Sequence, residues 1–240
     1  MLSGSLNTWL GDECIVLLLK KVVIRHCQEL IKQIHPPGFP SDWKWPQGCK
    51  FRAEYPVFWQ DFCRRILTTK SVQSNCPGTV VFVPLGVRCS GDETELKGNH
   101  WAGLIIDSFH DPHRLVYWDS FGTGIVHPTL RECLIKEFPF HELVEIHERL
   151  QGDWTQCGTW MIWCFEMYVL AMATKKINSF SIVGMGSVLG CILYDLNTPV
   201  SLGLKSTMIS HNEEMIKSRR KLYQTRALQK TIADDYKFTL

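Results

Sequence analysis

The sequence has no apolar run fit to span a bilayer, no Cys-x-x-Cys or Gly-Gly pair, no internal repeat and no low-complexity tract. The longest stretch without a charge, Ile177–Tyr194, carries three glycines, three serines and an asparagine, so a buried element with a loop fits better than a membrane span. Without Cys-x-x-Cys the usual structural-zinc reading of the cysteines fails. The first nine residues carry no basic side chain, and Asp12 and Glu13 precede the first apolar run, Ile15–Leu19, the wrong order for a secretory signal. An excess of one charge is also missing. With 26 Lys and Arg against 24 Asp and Glu the net charge is +2, which gives no dominant field for nucleic acid over the whole surface. The chain reads as soluble and intracellular, in a reducing compartment.

What is present is a 240-residue chain, 45% hydrophobic and 21% charged, with ten cysteines. That length supports one domain, 1–240, with a sizeable core and no need of disulfides. The cysteines are therefore read as packed thiols. Ile15, Leu18, Leu19, Val22 and Val23 recur at helical spacing after Gly11-Asp12 and continue to Ile34, where His35-Pro36-Pro37 ends the pattern. A proline- and tryptophan-rich loop to Gly48 follows, then a helix over Val57–Leu67 with Phe58, Phe62 and Ile66 on one face.

The period then changes. Thr79–Pro84 is a β-branched run bounded by Pro77-Gly78 and Leu85-Gly86. Trp101–Ile106 and Leu115–Trp118 flank the turn signal Asp111-Pro112, which predicts an antiparallel hairpin. A helix over Thr129–Phe138, a strand over Leu143–Leu150 and a helix over Gly158–Ala173, apolar nearly all round, complete an α+β pattern. The catalytic core would span about 8–200, with a basic helical extension over about 205–235.

Three local signatures stand in one order: Asn99-His100-Trp101 opening a strand, Tyr117-Trp118-Asp119-Ser120 closing the next, and Gln151 six residues before Cys157-Gly158, which opens the buried helix. Paired as a hairpin, the strands bring His100 and Asp119 to one end of the sheet, where a carboxylate holds an imidazole in one tautomer and stabilises its charged form. Aligned peptide dipoles at a helix start favour a thiolate at Cys157, as does a protonated histidine nearby. Gly158 keeps the space beside the thiol open, and the Gln151 amide can join the Cys157 backbone N–H as an oxyanion donor. Base, orienter, nucleophile and donor are the set that acyl transfer needs.

At these residues the chain resembles the cysteine proteases that include the SUMO-specific proteases and adenain, the adenovirus protease. Trp9-Leu10-Gly11-Asp12-Glu13-Cys14-Ile15 is similar to the segment with which SUMO proteases open their catalytic domain. Gln151-Gly152 and Ser206–Tyr223 look more like adenain. The resemblance implies a papain-like fold, with a central mixed sheet, the nucleophile helix packed on it and flanking helices. It implies His100 as base, Asp119 as orienter, Cys157 as nucleophile and Gln151 as oxyanion donor. Trp101 would wall a narrow channel that admits glycine beside the scissile bond. It further implies activation by DNA, through the basic C-terminal helix, or by a viral peptide. Phe140–Leu150 has no cysteine, which argues against a disulfide-linked peptide. The chemistry itself requires no cofactor.

Two substrates fit this resemblance. One is a precursor protein cut at glycine-containing sites by a viral or mobile-element maturation endopeptidase, which would place the protein in the host nucleus or virion. The other is a conjugate of SUMO, ubiquitin or another ubiquitin-like modifier, cut by an isopeptidase. A non-catalytic modifier-binding module is disfavoured by the intact His100, Asp119 and Cys157, and an acetyltransferase on the same fold ranks lower. His110 and His113 with Asp107 and Asp111 suggest a metal cluster, but a hairpin turn accounts for them at least as well.

Overall fold

The computed structural model describes residues 12–19, 27–28, 44–68, 78–87, 100–151, 157–173 and 180. The predicted C-terminal helix, the Asn99 and Trp9–Gly11 motif positions and Gly152 lie outside these residues. The chain divides into two compact units, one of residues 46–165 and one of residues 1–45 with 166–240.

In the unit of residues 46–165, the apolar β-branched runs form a six-stranded mixed sheet. Its strands are β1 (Lys50–Ala53), β2 (Val57–Phe58), β3 (Thr79–Val87), β4 (His100–Asp107), β5 (His113–Asp119) and β6 (His141–Ile146), in spatial order β1-β3-β4-β5-β6, with β2 also on β3. β3, β4 and β5 are antiparallel neighbours, whereas β1 and β2 run parallel to β3 and β6 parallel to β5. The predicted hairpin is present, with Gly103 opposite Trp118 and Ala102 opposite Asp119.

Alternation along the strands feeds two cores. One face sends Val83, Leu85, Ala102, Leu104, Leu115 and Tyr117 against Phe62 and Ile66 of helix α2 (Trp59–Thr68) and Leu130 and Leu134 of helix α3 (Pro128–Glu137). Phe82 and Gly103 instead meet helix α4 (Cys157–Ala173), where the Phe82 and Phe165 rings stack at 4.7 Å and a Cβ on Gly103 would lie 3.2 Å from the Phe165 ring. Gly103 is thus small because the helix lies close.

Three predicted boundaries move. Val57 and Phe58 pair with Leu85 and Gly86 as a strand, and the helix starts at Trp59. Leu85-Gly86, predicted as a terminator, lies inside β3, paired with β2 and β4, and residue 86 is glycine because a Cβ there would come within 2.7 Å of the Phe58 ring. β6 spans His141–Ile146 rather than Leu143–Leu150, since residues 147–151 leave the ladder to bond to the end of β5.

The other unit contains helix α1 (Asp12–Leu17), with Ile15, Leu18, Leu19 and Cys27 buried. There Lys44 N donates to Ala173 O at 3.1 Å, and the Tyr168 and Phe180 rings meet edge to face. No described helix is long and apolar enough to cross a membrane. The described cysteines, Cys27, Cys49, Cys63, Cys133, Cys157 and Cys164, are thiols rather than disulfide partners.

Candidate active site

His100 is the first residue of β4 and Asp119 the last of β5, and the hairpin register carries both to one end of the sheet. His100 Nε2 lies 3.8 Å from Asp119 Oδ1, and each side chain is only 2% exposed. That separation exceeds a hydrogen bond, and Nε2 has no hydrogen-bond partner among the described residues. The Phe121 ring stacks on the imidazole at 4.8 Å. Burial pushes the His100 pKa down to about 4, with the Asp119 charge opposing that shift. At neutral pH His100 is therefore a neutral imidazole, not the standing imidazolium that a preformed ion pair with a thiolate would need.

Asp119 is held by the turn that follows it. Its Oδ1 accepts Phe121 N–H at 2.7 Å, its Oδ2 accepts the Thr123 hydroxyl at 2.7 Å, and its carbonyl accepts Gly122 N–H at 3.0 Å. These bonds fix the plane of the carboxylate beside the imidazole. Gly122 and Gly124 both have positive φ, and Gly122 passes so close to residues 147–149 that a Cβ would fall 2.8 Å from the His147 carbonyl oxygen. The Glu145 carboxylate accepts Ile125 N–H and pairs with Arg131, which ties the same loop to β6 and α3.

Gln151 is drawn to the same place. Leu150 N and Gln151 N donate to the Ser120 carbonyl at 3.0 and 2.9 Å, and the Ser120 hydroxyl donates to Gln151 Oε1. Trp118 Nε1–H donates to Glu148 O at 2.9 Å, securing the approach to Gln151. Contacts thus join His100 to Asp119 and Ser120 to Gln151 across one dipeptide.

Cys157 is positioned by its helix. It is the first residue of the 17-residue α4 and is 1% exposed, and Gly158 beside it is buried too. Phe165 packs on Phe82, which lies on the ladder opposite Ile105, while Met161, one turn nearer the N-terminus, packs on Gly103. The helix therefore runs along β4 with its Cys157 end toward the His100 end of the strand. Trp101 is half-buried opposite Gly86.

The other titratable cluster sits at the far end of the hairpin. Asp107 accepts Phe109 N–H and His110 N–H through Oδ1, and its Oδ2 lies 2.6 Å from His110 Nδ1, so it braces the turn. Among the described residues no three His, Cys, Asp or Glu side chains are placed to hold a metal ion. Sequence reasoning missed Phe121, Thr123 and the grip of Ser120 on Gln151. The only signal for them was the turn composition of Asp119-Ser-Phe-Gly-Thr123.

No family model matches the sequence, and no curated protein does. Among solved structures the chain is similar to the ASFV pS273R protease, at 18% identity and TM-score 0.43 over 90% of this chain and 68% of that one. It is also similar to a de-sumoylating protease, at 11% identity and TM-score 0.46 over 95% and 85%. The SUMO protease Ulp1 matches at 16% identity and TM-score 0.37 over 70% and 67%. These likenesses are of outline only.

Proposed function

We propose that the protein is a cysteine protease in which Cys157 is the nucleophile, His100 the base, Asp119 the residue that orients it and Gln151 an oxyanion donor. The observation that carries this reading is the buried pair of His100 and Asp119, with Nε2 facing a carboxylate already fixed by two hydrogen bonds. A neutral imidazole so oriented keeps Nδ1 for the thiol. His100 takes the Cys157 proton as sulfur attacks the carbonyl, and the Asp119 charge stabilises the imidazolium that forms. The oxyanion is met by the Gln151 amide and the helix-start N–H groups of α4. His100 then returns the proton to the leaving amine, and water hydrolyses the thioester. The chemistry calls for no metal or cofactor.

The substrate we favour is a protein with glycine beside the scissile bond, on the resemblance of His100-Trp101 to proteases in which that tryptophan walls a narrow channel. Within that class we favour a maturation endopeptidase of viral or mobile-element type, on the adenain-like wording of Gln151-Gly152 and Ser206–Tyr223. Removal of a ubiquitin-like modifier is the second reading, favoured by the Trp9–Ile15 segment. Incubation with SUMO- and ubiquitin-based covalent probes, beside a library of glycine-containing peptides, separates them. Peptide cleavage without probe labelling supports the first reading, and labelling at Cys157 supports the second. Hydrolysis undiminished in Cys157→Ala would overturn both.

A further inference from the structure

We infer that Ser120 is a positioning residue that sets which end of the Gln151 amide is presented for catalysis, an inference that rests on the oxyanion role proposed for Gln151. The two ends of a glutamine amide are nearly the same shape but opposite in function: the NH2 stabilises a developing oxyanion, and the oxygen repels it. A donor to the amide oxygen therefore decides whether the group helps or hinders. Ser120 is that donor, because its hydroxyl bonds Gln151 Oε1 and turns the NH2 to the opposite side. Ser120 is 1% and Gln151 2% exposed, so bulk water does not replace this bond. The backbone reinforces it, since the Ser120 carbonyl accepts both Leu150 N–H and Gln151 N–H. Adjacent residues at the end of β5 thus set two separate groups, with Asp119 holding the base and Ser120 the oxyanion donor. The Ser120 hydroxyl acts through Gln151 and touches no reacting atom.

The test is a double-mutant cycle on hydrolysis of a fluorogenic Gly-Gly-aminomethylcoumarin peptide, with iodoacetamide alkylation of Cys157 measured in parallel. Removing one oxyanion donor costs on the order of 10²–10³-fold in kcat, so Gln151→Ala should fall in that range. Ser120→Ala should lower kcat by about 10-fold or more at little-changed KM, and should cost nothing further in the Gln151→Ala background. Ser120→Thr, which keeps the hydroxyl, should restore most of the rate. Alkylation forms no oxyanion and should proceed at the wild-type rate in Ser120→Ala. A Ser120→Ala rate equal to wild type, or a loss that multiplies with that of Gln151→Ala, would overturn the inference.

An arm independent of turnover is the side-chain amide NMR signal of Gln151, assigned by its loss in Gln151→Ala. It should shift in Ser120→Ala and hold its place in Ser120→Thr, and an unmoved signal in Ser120→Ala overturns the inference. If Ser120→Ala does not fold, the same comparison is made with Ser120→Cys, whose weaker donor should give a smaller shift and an intermediate rate. If wild type cleaves nothing, or Cys157→Ala cleaves as well as wild type, the protease reading fails and the NMR arm alone decides the role of Ser120.

Discussion

Replacing Gly122 with alanine strikes the turn from which both the Asp119 and the Gln151 positions hang. Gly122 has φ +70°, where a Cβ costs about 1–2 kcal/mol. The new methyl would lie 2.8 Å from His147 O, 2.9 Å from Arg149 N and 3.1 Å from Arg149 Cα, all backbone atoms with no rotamer to yield. The segment must move, and that strains the bonds from Leu150 N and Gln151 N to Ser120 O and from Trp118 Nε1 to Glu148 O. At about 1 kcal/mol net for each of the three bonds weakened, added to the backbone cost, the total loss is about 4–5 kcal/mol. Gly48 supplies the control, because its φ is +78° but a Cβ there meets nothing within 4 Å. Gly48→Ala should therefore cost only the backbone share, about 1–2 kcal/mol. Urea unfolding followed by tryptophan fluorescence measures both, with unchanged m-values confirming that native stability is what moved. Peptide hydrolysis by Gly122→Ala should also fall under conditions where the variant is fully folded, and that by Gly48→Ala should not. Equal destabilisation of the two variants, within about 0.5 kcal/mol, would refute the close-approach argument.

The buried His100 makes stability depend on pH: its folded pKa is about 4 against an ordinary 6.5, so the unfolded chain binds more protons between those values. The contribution is fully present above pH 6.5 and is lost as pH falls toward 4, by up to about 3 kcal/mol. Urea unfolding at pH 7 and pH 4 should show that loss in wild type and a clearly smaller one in His100→Gln; identical losses would contradict it. Asp119→Asn should lower kcat by on the order of 10⁴-fold, the cost of the wrong imidazole tautomer, and a loss under 10-fold would remove Asp119 from its role. Burial pushes the Cys63 and Cys49 thiols up to about 12 and Cys164 well above its ordinary value, so brief alkylation at pH 8 should spare all three, while Cys157, as the proposed nucleophile at a helix start, should be marked despite its burial, as read by peptide mass spectrometry.

The strands β3, β4 and β5 and the helix α4 were legible because each buries a long apolar run whose period is its own signature. The hairpin turn at Asp111-Pro112 then sufficed to put His100 and Asp119 at one end of the sheet. Elements whose state depends on a distant partner were not legible. Val57-Phe58 has helical spacing with Phe62, yet edge pairing with β3 makes it a strand, and Gly86 looks like a terminator until the Phe58 ring is seen to need its space. Residues 147–150 continue an alternating pattern but are diverted by bonds to Ser120 and Trp118. The supports of the site were the least legible part. Thr123, Phe121 and the Ser120 hydroxyl act through single side-chain contacts, which leave no period in the sequence.

The chemistry proposed for Cys157 is tested most directly by intact-mass and peptide mapping of the protein after reaction with a peptidyl-glycine vinyl ester and with SUMO and ubiquitin vinyl esters. A single adduct on Cys157 is predicted with at least one of these probes. It should be absent in Cys157→Ala and greatly slowed in His100→Gln, while peptide hydrolysis disappears in the same variants. A protein that forms no adduct at Cys157, or that hydrolyses peptide at the wild-type rate without that thiol, would contradict the account.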